Sequence, residues 1–388
     1  MIETVHQAPG RFDLPLDNPP EEIKALTSRA FAALIVTPAP IDHPDKIAYA
    51  SLLALASYVG IHTGRDKART TFSGYGPAWL LTLAKAASTA SVSSRPFYDG
   101  SNASWIRNNV LRIGSSENNG ITVGTISSSA AGGKTGKVQA GATPLSVLND
   151  VCRRFGREWR VNPNGTLDAA VTATLYPTAT TPTALATPIG GGRDLNIAGL
   201  PAVAFDERDD WDDYTTTVTC NDSDETHTGT DTLGSTPYVN PFDATAIISR
   251  RVTTSTTADT NTDCATVAAA QLGRYDQPQR NITLSTDAYS ISDSVDAGDY
   301  IYIYDVENDL YNTANPINFG GRVIYPQTVR VFGVRDGCSS EKGYYLRSWN
   351  GSAQELHDLT PYVAFENHRV TLDLGEPRRR RPPSAVAI

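Results

Sequence analysis

The stretch Val295-Asp-Ala-Gly-Asp-Tyr-Ile-Tyr-Ile-Tyr-Asp305 leaves the chain little choice of local structure. Side chains alternate faces along a strand, so Tyr300, Tyr302 and Tyr304 share one face and Ile301 and Ile303 the other. Ala297-Gly298-Asp299 is a turn signal before it, and Asp305–Asp309 is a polar break after it. A second β run follows from Gly321 to Gly333. Its internal Pro326 has no N–H to donate, which predicts a kink, a bulge or an edge position.

Upstream, Thr262 or Asp263 can cap a helix over Cys264–Tyr275, with Val267, Ala268 and Leu272 on one side. Asn281–Ser285 is β by composition. The predicted order is helix, strand, linker, Gly-Asp turn, Tyr/Ile strand, kinked strand. This order, with Gly298-Asp-Tyr-Ile-Tyr-Ile-Tyr-Asp305 followed by Gly321 and a proline-bearing strand, resembles the second barrel-like domain of phage tail hub proteins. It is most similar to the minor tail proteins of actinobacterial siphophages.

The chain has 388 residues, too many for one ordinary core. At 40% hydrophobic and 19% charged it has the composition of a folded protein. A formal charge of −9 argues against a surface that grips duplex DNA, since such surfaces neutralise phosphates with Lys and Arg. The N-terminus shows no signal-peptide pattern, and Ser51–Ile61 is too short to span a bilayer, so no membrane anchor is expected.

In chain order, residues 1–20 read as a Pro-rich arm or packed extended segment. Phe31–Val36 is a short buried strand or helix end. Ala50–Gly76 is a β hairpin turning at Thr63-Gly-Arg-Asp66, and Pro77 opens a helix. The Gly-x-Gly and Leu-rich helix after that hairpin also resemble the opening barrel of hub proteins. Residues 91–195 form a middle region, with a helix over Trp105–Ile113 and a strand over Gly120–Ser127. Thr143 caps a helix with Pro144 at its first position, and Asn162-Pro-Asn-Gly165 turns a hairpin between Glu158–Val161 and Thr166–Ala169. This helix and hairpin resemble the α+β module inserted in hub proteins. Thr172–Pro188 reads as a linker. Beyond it, strands are expected at Tyr214–Cys220, Ile247–Thr254, Tyr344–Trp349 and Val363–Leu374, with Asn221–Asn240 a polar loop. Arg378–Arg381, flanked by prolines, is a basic tail.

No constellation nominates a catalytic, cofactor-binding or metal-binding residue. Gly132-Gly-Lys-Thr135 lacks the first glycine of a phosphate loop, because Ser128 stands there. The acidic run Asp206–Asp213 has no ordered Ca²⁺-ligand spacing and reads as a solvated loop, and Asn221–Glu225 and Asp305–Asp309 read the same way. Cys152, Cys220, Cys264 and Cys338 are dispersed and fit buried thiols. His6, His43, His62, His227, His357 and His368 sit in no ligand pattern. The candidate site residues are Tyr300, Tyr302, Tyr304, Ile301 and Ile303, as an interface or as barrel packing. With Trp159, those tyrosines are also the candidates for stacking on sugars.

The expected fold class is therefore mainly β with an α+β insertion: two tail-tube-like β-barrel domains plus a small helix-hairpin module. The expected divisions are 1–90 (completed by strands near 196–220), 91–195, 196–345 and a C-terminal extension over 346–388. The resemblance implies a structural, non-enzymatic protein of the virion tail tip, a homotrimer capping the tail tube. It implies as partners the tail tube or distal tail protein, the tape measure protein and other minor tail proteins. DNA would pass through the channel without specific binding, which an acidic wall favours. The alternatives are a host-surface glycan-binding tail protein and, third, a cell-wall hydrolase.

Overall fold

The structure is a computed structural model. It describes the chain apart from residues 1, 5–9, 27–31, 44, 47–49, 51–53, 55, 66–68, 95–101, 115–118, 128–133, 155–156, 171, 177–193, 213, 223–224, 235–238, 257–259, 277–278, 289–290, 292–293, 306–316, 320–321, 325–326, 350, 366–368 and 376–388.

Alternating side chains build most of it. In Arg11–Asp17, Phe12, Leu14 and Leu16 are buried and the residues between them face outward. Pro15 hides this strand from a propensity reading. It is tolerated because Pro15 pairs with Thr71 on one edge while its carbonyl accepts from the Ala364 N–H at 2.9 Å. Ala33–Thr37 is buried on both faces, so the run left open in the sequence is a central strand.

These strands belong to one mixed sheet with two cores. The first lobe runs Arg11–Asp17, Arg69–Tyr75, Ala56–Arg65, Ala33–Thr37, Gly343–Trp349 and Gln354–Asp358. Its core holds Phe12, Leu14, Leu34, Phe72, Tyr344 and Leu346. The second lobe runs Ala204–Asp210, Gln279–Thr286, Val370–Gly375 and Gln327–Asp336, with Tyr300–Tyr304 and then Asp194–Asn196 continuing from the last. Its core holds Leu284, Ile301, Ile303, Val331, Leu372 and Leu374. Ile2–Thr4 stitches the lobes, pairing with Arg11 on one side and with Gly333–Arg335 on the other.

The pairing crosses the expected divisions. The first lobe draws its last strands from residues 343–358, because Ile35 lies opposite Tyr345 and Tyr345 opposite Asp358. The strands near 196–220 pair elsewhere: Asp194–Asn196 with Tyr302–Tyr304, Ala204–Asp210 with Gln279–Thr286, and Thr217–Asp222 in a sheet of its own. Long-range pairing leaves no mark in local periodicity, which reports only which face of a strand is buried.

Two α+β inserts leave the sheet. The first, residues 77–170, begins with a 3₁₀ turn at Pro77–Thr82. The helix at Asn102–Ile106 runs on as a π turn to Leu111. Thr143 accepts at its Oγ1 from the Ser146 N–H and so caps the Pro144–Arg154 helix. The predicted hairpin is present, Glu158–Val161 with Thr166–Ala170, and Thr122–Ile126 adds a parallel strand. The second insert, residues 211–278, interrupts the hairpin formed by Ala204–Asp210 and Gln279–Thr286. Thr217–Asp222 pairs with Thr228–Thr232 and, in parallel, with Arg251–Thr256. The expected polar loop over Asn221–Asn240 thus contains a Thr-rich strand. Asn261–Tyr275 packs Cys264, Val267, Ala268 and Leu272 on this sheet, and its cap is Thr260, not Thr262 or Asp263.

The β run predicted over Gly321–Gly333 is two strands, Arg322–Ile324 and Gln327–Asp336. Tyr325 and Pro326, between them, fall outside the described residues.

Candidate functional site

The Tyr/Ile strand lies where the second lobe meets the first insert. Ile301 and Ile303 are in the lobe's core, as their shared face requires. Tyr304 is also fully buried, and its hydroxyl donates to Asp194 Oδ2 at 3.4 Å. Tyr300 and Tyr302 are half-buried. The turn before the strand is nailed to its neighbour: the Gly298 N–H donates to the Val331 carbonyl at 2.7 Å, and the Val331 N–H to the Asp299 carbonyl at 2.8 Å. Asp299 Oδ2 accepts from the Asp296 N–H at 2.9 Å, which closes the turn.

Tyr300 pairs in register with Arg330, the largest side chain fully enclosed in the molecule's described part. Burying an isolated guanidinium is prohibitive, so this one needs a partner. Glu158, from the hairpin of the first insert, supplies it. Arg330 Nη1 donates to Glu158 Oε1 at 2.9 Å and Nη2 to Oε2 at 2.7 Å, a bidentate pair with side-chain exposures of 0% and 2%. Tyr300, Tyr176 and Phe332 surround the cation, with ring centroids 5.4, 5.5 and 5.9 Å from Cζ. Burial works against the charge on Arg330, but Glu158 outweighs it and holds the guanidinium above the usual arginine value. Burial pushes the Tyr176 phenol up, and Glu158 adds to the rise.

Gly298 has a φ of +108°, and a Cβ there would sit 2.1 Å from Tyr176 Cε1. Only glycine lets this turn approach the ring. Arg160, from the same hairpin as Glu158, lies over Tyr176 as well, 5.7 Å from its centroid. The arrangement is a mechanical joint. Arg330 and Glu158 neutralise each other, and Arg160 Nε lies 3.6 Å from Asp168 Oδ2.

The other sequence candidates fall as follows. Trp159 is buried and its Nε1–H donates to Asn149 Oδ1, so its ring is not an open platform. Lys134 and Thr135 lie in a strand paired with Ala90–Ser94 rather than at the start of a helix. Asp206–Asp210 is strand, not loop, paired residue by residue with Gln279–Thr283. Asp222 closes a turn: Oδ1 accepts from the Thr226 N–H, and Oδ2 lies 2.7 Å from both Thr226 Oγ1 and His227 Nδ1. All four cysteines are buried free thiols. Asp305 is described, whereas residues 306–309 and Arg378–Arg381 lie outside the described residues. Among the described residues no group of three His, Cys, Asp or Glu could hold a metal, and no helix is long and apolar enough to cross a membrane.

Fold and site together define a mainly β protein with two cores on one sheet and two α+β inserts. No protein-family model and no curated protein matches the chain. Among solved structures it is similar to the 43 kDa tail protein of prophage MuSo2 from Shewanella oneidensis, with a TM-score of 0.46 and 12% identity over 98% of this chain and 94% of that one. It is also similar to a tail protein from Neisseria meningitidis MC58, with a TM-score of 0.47 and 13% identity over 97% and 95%. A third is prophage tail protein gp18 from Listeria monocytogenes EGD-e, with a TM-score of 0.41 and 10% identity over 90% and 89%.

Proposed function

We propose that this chain is a structural protein of a phage tail, of the hub class, acting at the tail tip of a siphophage. The observation that carries the reading is that one sheet holds two separate β cores side by side. Two tube-like units per chain would let a homotrimer match a six-fold tube, since three copies then offer six equivalent seats. The Gly298–Asp305 strand, with its hub-like sequence, supports the same reading from the second lobe. In this role the chain caps the tail tube, contacts the tube or distal tail protein and other minor tail proteins, and encloses the path of the tape measure protein and DNA. The net acidic charge favours passage of DNA over adhesion. No catalytic step is assigned to it.

The reading is tested by the mass and symmetry of the assembled protein. Mass photometry of the purified chain and cryo-EM of the tail tip should give a three-fold ring coaxial with the tube. Copies placed peripherally on the tip would sink the hub role and turn attention to binding of cell-wall glycans.

A further inference from the structure

Among the described residues the most exposed large apolar side chain is Phe242, at 96%. It stands at the tip of a hairpin in the second insert, Val239–Asn240 with Asp243–Ile247, whose strands pair only with each other. The tip is fixed by an Asx turn: the Phe242 N–H donates to Asn240 Oδ1 at 2.9 Å. Asp243, directly after the ring, is the only charge in the hairpin, and the insert as a whole carries three Lys and Arg against ten Asp and Glu. An aromatic ring held out into water on a set turn has the form of a pre-organised interface anchor.

The first insert carries the complement. Leu83, just past the 3₁₀ turn, is 44% exposed, and Lys85 is exposed beside it. Ala86 pins this segment: its N–H donates to the Ala142 carbonyl and its carbonyl accepts from the Gly141 N–H, both at 2.8 Å. Gly114, at a φ of +68°, packs so closely on the Lys85 backbone that a Cβ would not fit. Two residues earlier is Arg112, whose N–H donates to the Arg107 carbonyl at 3.1 Å, one π turn back. Both arginines are exposed. Their guanidinium groups touch neutral oxygens, Ser104 Oγ at 3.4 Å from Arg107 and Asn108 Oδ1 at 3.5 Å from Arg112. An exposed leucine thus lies among three cations on two segments packed together.

We propose that Phe242 of one copy seats on Leu83 of a second copy, with Lys85, Arg107 and Arg112 facing the acidic insert that carries the ring. Three observations select a second copy as the occupant. Within one chain the inserts meet through their helices and Phe242 stays exposed, so its seat lies on another molecule. The charges are opposite, since the insert bearing the seat has ten Lys and Arg against five Asp and Glu. Asp243 beside the ring and a chain charge of −9 also oppose an anionic lipid surface. Knob and seat are different patches, so the contact is heterologous and builds a ring where the rotation closes. A ring of three rests on the tail-hub reading; the contact itself does not.

The test places p-benzoylphenylalanine at position 242 of the full chain, mixes ¹⁴N and ¹⁵N protein, and maps photo-cross-links by mass spectrometry. Links should join different isotopes and concentrate on Leu83–Lys85 and Arg107–Arg112. In sedimentation, Phe242→Ala should weaken self-association about thirtyfold, the effect of removing an anchor. Arg107→Glu with Arg112→Glu should weaken it too, with the difference shrinking in 1 M salt. All three side chains are exposed, so circular dichroism should report an unchanged fold. A trimer indifferent to both variants would overturn this contact and leave the hub reading standing. Copies linked through Phe242 and Leu83 in a number other than three would uphold the contact and sink the trimer. A chain that stays monomeric would overturn both. Links confined to one isotope or scattered over the second copy would overturn the seat, and so would Phe242-dependent retention on phosphatidylglycerol vesicles without links between copies.

Discussion

The two inserts are fastened to the sheet in different ways. The insert at 77–170 leaves the first lobe after Tyr75 and is tied back to the second lobe by Glu158 on Arg330. The insert at 211–278 enters and leaves through one hairpin, whose last pair is Asp210 with Gln279. They also differ in charge: the first carries ten Lys and Arg against five Asp and Glu, the second three against ten. They touch through the Pro144–Arg154 and Asn261–Tyr275 helices. The difference teaches that a module whose two ends share adjacent strands is placed by its hinge and by helix packing, with no buried ion pair seen between it and the sheet among the described residues. A module threaded between two lobes needs a cross-tie, and here the tie is ionic and buried.

The largest effect should follow from cutting that tie. Glu158→Gln leaves Arg330 buried without a counter-charge and should cost about 3–5 kcal/mol in denaturant unfolding. Exchanging both partners for apolar residues, Arg330→Met with Glu158→Leu, should recover most of the loss. If the single and double variants are equally destabilised, packing rather than charge carries the joint. Hydrogen exchange should show the single variant loosening the first insert and the Tyr300–Tyr304 strand while leaving Asn261–Tyr275 protected.

Next comes Gly298→Ala. The added methyl meets an enclosed ring at a backbone angle that disfavours any side chain, so a loss of about 1–3 kcal/mol is expected. An unchanged melting temperature would show that Tyr176 can move aside. On the second insert, Thr260→Ala removes the oxygen that accepts from the Asp263 N–H and should cost about 1 kcal/mol, confined to exchange in that helix.

The smallest effect is seen only in acid. Desolvation raises the Asp222 carboxyl, but the side-chain and backbone hydrogen bonds from Thr226 and His227 together outweigh it and hold the group well below its ordinary 3.8. The unfolded chain therefore binds this proton first as pH falls. Asp222 stabilises the fold fully above the ordinary carboxylate range and loses that contribution as pH drops through 3.8 and below. Asp222→Asn should flatten the acid limb of a stability–pH curve there. A curve parallel to the native one would rule the turn out as its source.

What the sequence discloses is what local pattern can encode. The Tyr/Ile strand, the Thr143–Pro144 helix start and the Asn162–Gly165 turn are all legible, because each is decided by neighbours a few residues away. The joint is not. Glu158 and Arg330 are 172 positions apart, and Tyr176 sits in a stretch that composition reads as linker. One signal was available: Arg330 interrupts Val329-Arg-Val-Phe332, and a lone charge in an apolar strand demands a buried partner somewhere. The edge strand at Asp206–Asp210 was missed for the opposite reason. Charge is what a free edge tolerates, so an acidic run can be β structure when it closes a sheet.

The interrupted hairpin has a consequence for how such a protein can change over generations. Asp210 and Gln279 face each other across one ladder rung, so whatever lies between them needs only two chain ends about 5 Å apart. Loop-closure cost rises only slowly with the length enclosed. That position is a socket: a different folded cassette with neighbouring termini could be exchanged there without shifting the register of a single strand in the sheet.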